Sequence, residues 1–165
     1  MSFAVWLTGH SGSGKSAIAR ELLALLPEAS ILESDVMRTQ LTPHPRYDDA
    51  DRDFFYGALA DFGVILFGRG RAVIFDATAN RRAYRDAARQ RIARFAEVFV
   101  DTPLEVCVAR DPKGLYAKGM KIPYEPPLAP ELVVRGDRGT PRESAQAVIR
   151  LLESRGWISS DRKAG

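Results

Sequence analysis

Gly9-His10-Ser11-Gly12-Ser13-Gly14-Lys15-Ser16 lies between a short apolar run, Phe3-Ala4-Val5-Trp6-Leu7, and a segment in which Ile18, Leu22, Leu23 and Leu26 recur at helical spacing. The octapeptide fits G-x-x-x-x-G-K-[ST] at each fixed position, and a buried strand entering it and an amphipathic helix leaving it are what a phosphate-binding loop requires. Glycines let backbone N–H groups turn inward around phosphates, and the helix N-terminus adds partial positive charge. Lys15 is expected to reach the β- and γ-phosphates and the Ser16 hydroxyl to hold Mg²⁺. The reading predicts a nucleoside triphosphate site built from Gly9, His10, Ser11, Gly12, Ser13, Gly14, Lys15 and Ser16. A rival exists in Gly12-x-Gly14-x-x-Ala17, which matches a dinucleotide fingerprint, with Asp35 about 20 residues on as the ribose-binding acid. Such a site has no use for the Lys15-Ser16 pair or for Gly9, which decides for the phosphate loop over the dinucleotide site or a ligand-free glycine turn.

At 165 residues the chain fits one domain, residues 1–165, large enough for a proper core. Its single cysteine, Cys107, excludes an internal disulfide, and residues 1–8 read as a strand rather than a basic leader, so a reducing cytoplasm is expected. No apolar stretch approaches the roughly 20 residues of a membrane helix, so no membrane partner is expected. The net charge of +3 is interspersed with acids, and nucleic acid is not an expected partner. Arg81, Arg82, Arg85, Arg89, Arg91 and Arg94 form the one arginine-dense stretch; helical spacing spreads them over several faces and predicts a solvated helix rather than an anion-binding patch.

Strand and helix patterns alternate after the loop. Ser30–Glu33 reads as a strand, about Asp51 to Phe67 as a helix, Ala72–Phe75 as a strand and about Arg82 to Ile92 as a helix. Ala96–Val100 follows as a strand, Pro103 to about Arg110 as a short helix, and the proline-rich stretch from Asp111 to Pro130 as a loop. Leu132-Val133-Val134 is a candidate fifth strand, and Pro141–Ser154 is a closing amphipathic helix with Pro141 at its first position. This alternation predicts an α/β fold: a parallel five-stranded sheet with helices on both faces and ligands at the carboxyl ends of the strands.

Two carboxylates stand where that rule puts chemistry. Asp35 follows the second strand with Arg38 three residues later, so Asp35 is expected to take the acceptor hydroxyl's proton or help hold Mg²⁺, and Arg38 to bind an anionic group. The competing role for Asp35 is to cap a short helix. Asp76 follows the third strand and is a candidate Mg²⁺ ligand or a turn residue. Thr78 and Asn80 are candidates to cap the next helix, their roles otherwise open.

The stretch from Val98 to Tyr116, including Asp101-Thr102-Pro103-Leu104-Glu105 and Ala109-Arg110-Asp111-Pro112-Lys113-Gly114, followed by Pro123-Tyr124-Glu125-Pro126-Pro127, closely resembles adenylylsulfate kinases. With the phosphate loop and the segment from Asp35 to Arg38, the resemblance spans nearly the whole chain. It implies a P-loop kinase fold that uses ATP and Mg²⁺ to phosphorylate the 3′-hydroxyl of adenosine 5′-phosphosulfate in sulfate assimilation, in a family often dimeric. It further implies a mobile lid over about residues 111–124, Arg110 near the ATP adenine, Lys113 near phosphates, and Arg38 and Arg52 on the acceptor. Three departures stand out. The family's Asn and paired arginines near the acceptor are replaced at about Phe55, Gly57 and Ala58; its Ser-Pro-Tyr-Arg segment is Ala79-Asn80-Arg81-Arg82 here; and the lid runs from Lys118-Gly119-Met120-Lys121 into Ile122-Pro123-Tyr124 without the family's insert. Behind this reading stand a P-loop kinase for another hydroxyl, on a polynucleotide 5′-end, a sugar or an antibiotic, and a regulatory module that binds ATP without turnover.

Overall fold

The computed structural model describes residues 2–121 and 123–160; Met1 and residues 161–165 of the expected domain, and Ile122 of the expected lid, lie outside the described residues. Its strands are β1 (Ala4–Thr8), β2 (Ser30–Glu33), β3 (Val73–Asp76), β4 (Phe95–Val100) and β5 (Leu132–Val134). Between and after them run α1 (Lys15–Leu25), α2 (Ser34–Leu41), α3 (Asp49–Gly68), α4 (Arg82–Arg89), α5 (Leu104–Arg110) and α6 (Pro141–Ser154).

The five strands form one sheet in the order β2-β3-β1-β4-β5, parallel at every pairing. β1 is central because it has no polar face: all five of its residues are buried. Successive side chains of a strand point to opposite faces. Phe3, Val5 and Leu7 therefore enter one core with Ile18 and Leu22 of α1 and Val148 and Leu152 of α6, while Ala4 and Trp6 enter a second core with Phe55 and Leu59 of α3 and Ala88 of α4. Each large apolar side chain so buried contributes about 1.5–3 kcal/mol, and the two cores fix helices on both faces. Trp6 stacks on Phe75 at 4.3 Å and donates its indole N–H to the Ala77 carbonyl at 3.0 Å, tying β1 to the exit of β3.

The boundaries follow local chemistry. Asp48 caps α3 by accepting from the Asp51 N–H at 2.8 Å, so the helix begins two residues before the sequence pattern suggests. Thr140 and Glu143 form a capping box with Pro141 inside α6, as Pro141 led us to expect. Gly63 lets α3 lie against the sheet: a Cβ there would stand 2.0 Å from the Phe75 ring.

Two expectations about α4 need correction. α4 is not a solvated helix, because Arg85 is 1% exposed and paired through Nε with Glu97 Oε1 at 2.5 Å, while Arg89 joins Glu97 and Glu131. Glu97 lies on β4 and faces the sheet side that α4 covers, which draws the arginines inward; a buried charge needs such a partner. Nor do Thr78 and Asn80 cap α4. Its cap residue is Arg81, and the Arg82 N–H is met by Glu125 Oε2 at 2.8 Å, from a segment 43 residues on.

Candidate active site

β3 and β4 flank β1 on opposite sides, so the connections diverge at the carboxyl end of β1 and open a crevice there. Residues 9–14 occupy that end and lead into α1, with Gly14 at the helix N-cap. Gly12 takes φ +81°, and a Cβ on it would come within 2.7 Å of the Cys107 carbonyl of α5, so only glycine fits that turn. Lys15 folds back over the loop, donating to the carbonyls of Gly9 at 3.0 Å and His10 at 2.8 Å. Burial pushes its ammonium down to about 8, with the Asp76 carboxylate opposing that shift.

Two cavities meet at this end of the sheet. The smaller, about 310 Å³, is walled by Gly12, Gly14, Lys15 and Ser16 of the loop, by Asp76 and by Arg110. Arg110 donates to the carbonyls of Gly12 at 3.2 Å and Gly136 at 2.8 Å, which places it on the loop's outer rim. Asp76 ends β3, in register with Leu7 of β1 and Glu33 of β2, and is 6% exposed. The larger cavity, about 600 Å³, is walled by Arg38, Tyr47, Arg52, Tyr56, Met120 and Tyr124 among others. Ser11, Ser34, Asp35, Thr78 and Lys113 border both. These five residues form the wall common to the two cavities.

The sequence-predicted residues divide accordingly. Lys15, Ser16, Asp76 and Arg110 come together around the smaller cavity, and Arg38 and Arg52 stand in the larger one. Asp35 is in the first turn of α2, whose N-cap is Glu33, so the capping role falls away. Its Oδ2 pairs with Lys113 Nζ at 2.5 Å. His10 borders the larger cavity instead of the smaller one, its ring 4.7 Å from that of Tyr124. Burial and the neighbouring Lys15 hold its imidazole below the usual histidine range.

Arg38 carries an unusual electrostatic load. Its guanidinium lies 4.0 Å from the centroid of the Phe55 ring, its Nη1 is 4.0 Å from Asp51 Oδ2, and that nitrogen is buried without a hydrogen-bond partner. A buried guanidinium donor without a hydrogen bond costs free energy that an anionic ligand offsets. Phe55 is fully buried beneath Arg38. Sequence reasoning missed Tyr47, Tyr56 and Met120; no motif marks them, and only the folding of α3 and the lid over α2 brings them together. Segment 111–121 covers the larger cavity: Asp111 accepts from the N–H groups of Tyr116 at 3.2 Å and Ala117 at 2.9 Å, and Tyr116 donates its hydroxyl to the Ser11 carbonyl at 3.0 Å.

The chain's relatives are consistent with this arrangement. The model of the family described as "Adenylylsulphate kinase" matches residues 1–135. The adenylyl-sulfate kinases of Rippkaea orientalis and Halothermothrix orenii are each 38% identical over 94% of this chain, which covers 93% and 91% of theirs. Among solved structures, the Mycobacterium tuberculosis APS kinase CysC in complex with AMPPNP and APS superposes with a TM-score of 0.84 at 38% identity, covering 92% of this chain and 98% of that one. A gluconokinase from Sinorhizobium meliloti, at 21% identity and a TM-score of 0.68, shares the fold. Motif, topology and relatives agree, and the chain belongs to the adenylylsulfate kinase family.

Proposed function

We propose that this protein transfers the γ-phosphoryl group of ATP to the 3′-hydroxyl of adenosine 5′-phosphosulfate. The observation that carries the reading is the shared border of the two cavities: Asp35 and Lys113 stand between a phosphate-binding side and a side walled by the cationic Arg38 and Arg52. Phosphoryl transfer asks a protein for positioning and charge neutralisation more than for covalent chemistry.

In this account Gly9 to Ser16 cradle the triphosphate and Lys15 neutralises charge on the transferring group. Lys15 now spends its donors on two loop carbonyls, and the triphosphate oxygens take their place. Asp35 accepts the proton of the attacking hydroxyl, and Arg38, whose Nη1 lacks a hydrogen-bond partner, binds the acceptor's anion together with Arg52. Arg110 flanks the nucleotide at the loop rim, and Lys113 closes over the phosphates with the lid, residues 111–124 of a single domain spanning 1–165. A lid that excludes water strengthens each of these charge interactions. Among the described residues no cluster of three or more His, Cys, Asp or Glu is placed to hold a metal. Ser16 and Asp76 supply hard oxygens beside the loop, and such oxygens suit Mg²⁺, which is held by one or two protein groups plus substrate phosphates. When bound, the ion neutralises phosphate charge. The free Cys107 thiol fits a reducing cytoplasm, and the exposed Phe54 and Ile65 of α3 give a second copy an apolar surface.

The test is a comparison of kcat/KM across acceptors: adenosine 5′-phosphosulfate, a 5′-hydroxyl oligonucleotide, and a panel of sugars and small alcohols. Preference for the phosphosulfate supports the reading. Preference for another alcohol means that Phe55, Gly57 and Ala58 accompany a changed acceptor, and ATP binding without any transfer marks a regulatory module.

A further inference from the structure

Arg85 belongs to neither cavity, yet it is buried and spends each end of its guanidinium on a different element. Nε meets Glu97 Oε1 of β4 at 2.5 Å, Nη1 donates to the Ala79 carbonyl, and Nη2 donates to the Glu125 carbonyl at 2.7 Å. Both backbone acceptors sit at places where the chain needs holding. Ala79 has φ +42°, in the left-handed region a side chain rarely adopts, and such a conformation persists only where its surroundings enforce it. Here the Tyr56 hydroxyl accepts from the Ala79 N–H at 3.2 Å on the other side of the residue. Glu125 is at the foot of the lid, and its N–H donates to the Asn80 carbonyl at 2.8 Å, while the Asn80 side chain donates to the Pro123 carbonyl at 3.1 Å.

Between those two ties lies Tyr124. The Arg85 guanidinium is 5.7 Å from its ring centroid, its hydroxyl is 3.0 Å from Thr8 Oγ1 at the end of β1, and its ring faces His10. Thr8 also donates to the Thr78 carbonyl at 2.6 Å. A buried ion pair is costly unless its remaining donors are satisfied, and here they are satisfied by the backbone of the lid base and of the turn after β3. We propose that Arg85 is a positioning residue for phosphoryl transfer: held by Glu97, it fixes the Ala79 turn and the lid base, and so seats Tyr124 against Thr8 and His10 at the mouth of the phosphate loop. The acceptor cavity keeps its wall through this contact. The inference rests on the kinase reading of the two cavities.

Arg85→Lys keeps a charge for Glu97 but cannot reach all three acceptors. If that variant does not fold, the double replacement Arg85→Met with Glu97→Met removes both buried charges at once and leaves Arg89 its ion pair with Glu131. In either variant, amide hydrogen exchange at Tyr124 and Glu125, the two N–H groups between Pro123 and Pro126, should quicken by about tenfold or more while the strand amides stay protected. ATP affinity should stay within about twofold, while the acceptor KM rises and kcat falls by on the order of tenfold. Unchanged exchange at the lid base overturns the proposal, as does a loss confined to ATP affinity. Tyr124→Phe, which removes only the link to Thr8, should be less than additive with Arg85→Lys; strict additivity also overturns it. Should the unaltered protein transfer nothing to adenosine 5′-phosphosulfate, the proposed function fails, and the exchange and ATP-affinity measurements still decide the role of Arg85.

Discussion

Lys113 Nζ lies 2.5 Å from Asp35 Oδ2, so the lid's lysine is paired with the carboxylate that borders both cavities. Both side chains remain substantially exposed, 43% and 59%, and an exposed pair contributes only about 0–1 kcal/mol to stability. Its consequence is therefore kinetic. Lys113→Ala is expected to leave Tm nearly unchanged while lowering kcat; thermal melts beside steady-state rates check this, and a large drop in Tm with normal kcat would reassign the pair to folding.

Asp35→Asn keeps the shape of the border and removes the proton acceptor. ATP affinity should hold, and transfer should fall by about a hundredfold or more. Full transfer by the variant would remove Asp35 from the chemistry. Single-turnover rates at saturating ATP make the measurement.

Arg38→Ala should raise the acceptor KM far more than the ATP KM. The guanidinium stands over Phe55 in the larger cavity, with Nη1 lacking a hydrogen-bond partner. Equal effects on both constants would place it in the donor site.

Lys15 gives the pH dependence. Its ammonium is held down to about 8 from an ordinary 10.5, so between those values the unfolded chain binds the proton that the native protein has lost. Stability from this group therefore increases as pH rises from about 8 to 10.5. Apparent ATP affinity should move the other way, weakening above about pH 8 as the free protein loses the charge that faces the phosphates. Calorimetric ATP titrations and denaturant unfolding from pH 7 to 9.5, on the unaltered protein and on Lys15→Met, check the two in turn; the variant should lose ATP binding and the pH-linked gain in stability.

Gly63→Ala puts a methyl group 2.0 Å from the Phe75 ring. Overpacking of this kind costs about 1–3 kcal/mol, and a lowered denaturation midpoint with unchanged ATP affinity is the expected outcome.

Much of this was readable from the residues because strand and helix periods differ. The apolar run at β1, the Gly-rich loop and the spacing of Ile18 and Leu22 fix the first βα unit, and Asp35 and Asp76 fall at strand ends as α/β folds require. What stayed hidden depends on distant pairing. Arg85 looked solvent-facing because Glu97, its partner, is 12 residues away on another element, and Glu125 caps α4 from 43 residues on. Tyr47, Tyr56 and Met120 carry no spacing signal; they meet only once α3 and the lid close on α2. The Lys113–Asp35 pair is equally non-local, though each residue had been singled out for phosphate or acceptor chemistry.

The most direct test of the account is the identity of the product formed from ATP, Mg²⁺ and adenosine 5′-phosphosulfate, by mass and by phosphorus–proton coupling in NMR. The account predicts one added phosphoryl group, on the 3′-oxygen, formed at a kcat in the usual range of about 1–100 s⁻¹ for kinases. An unmodified phosphosulfate, with ATP spent only when a different alcohol is supplied, would contradict it.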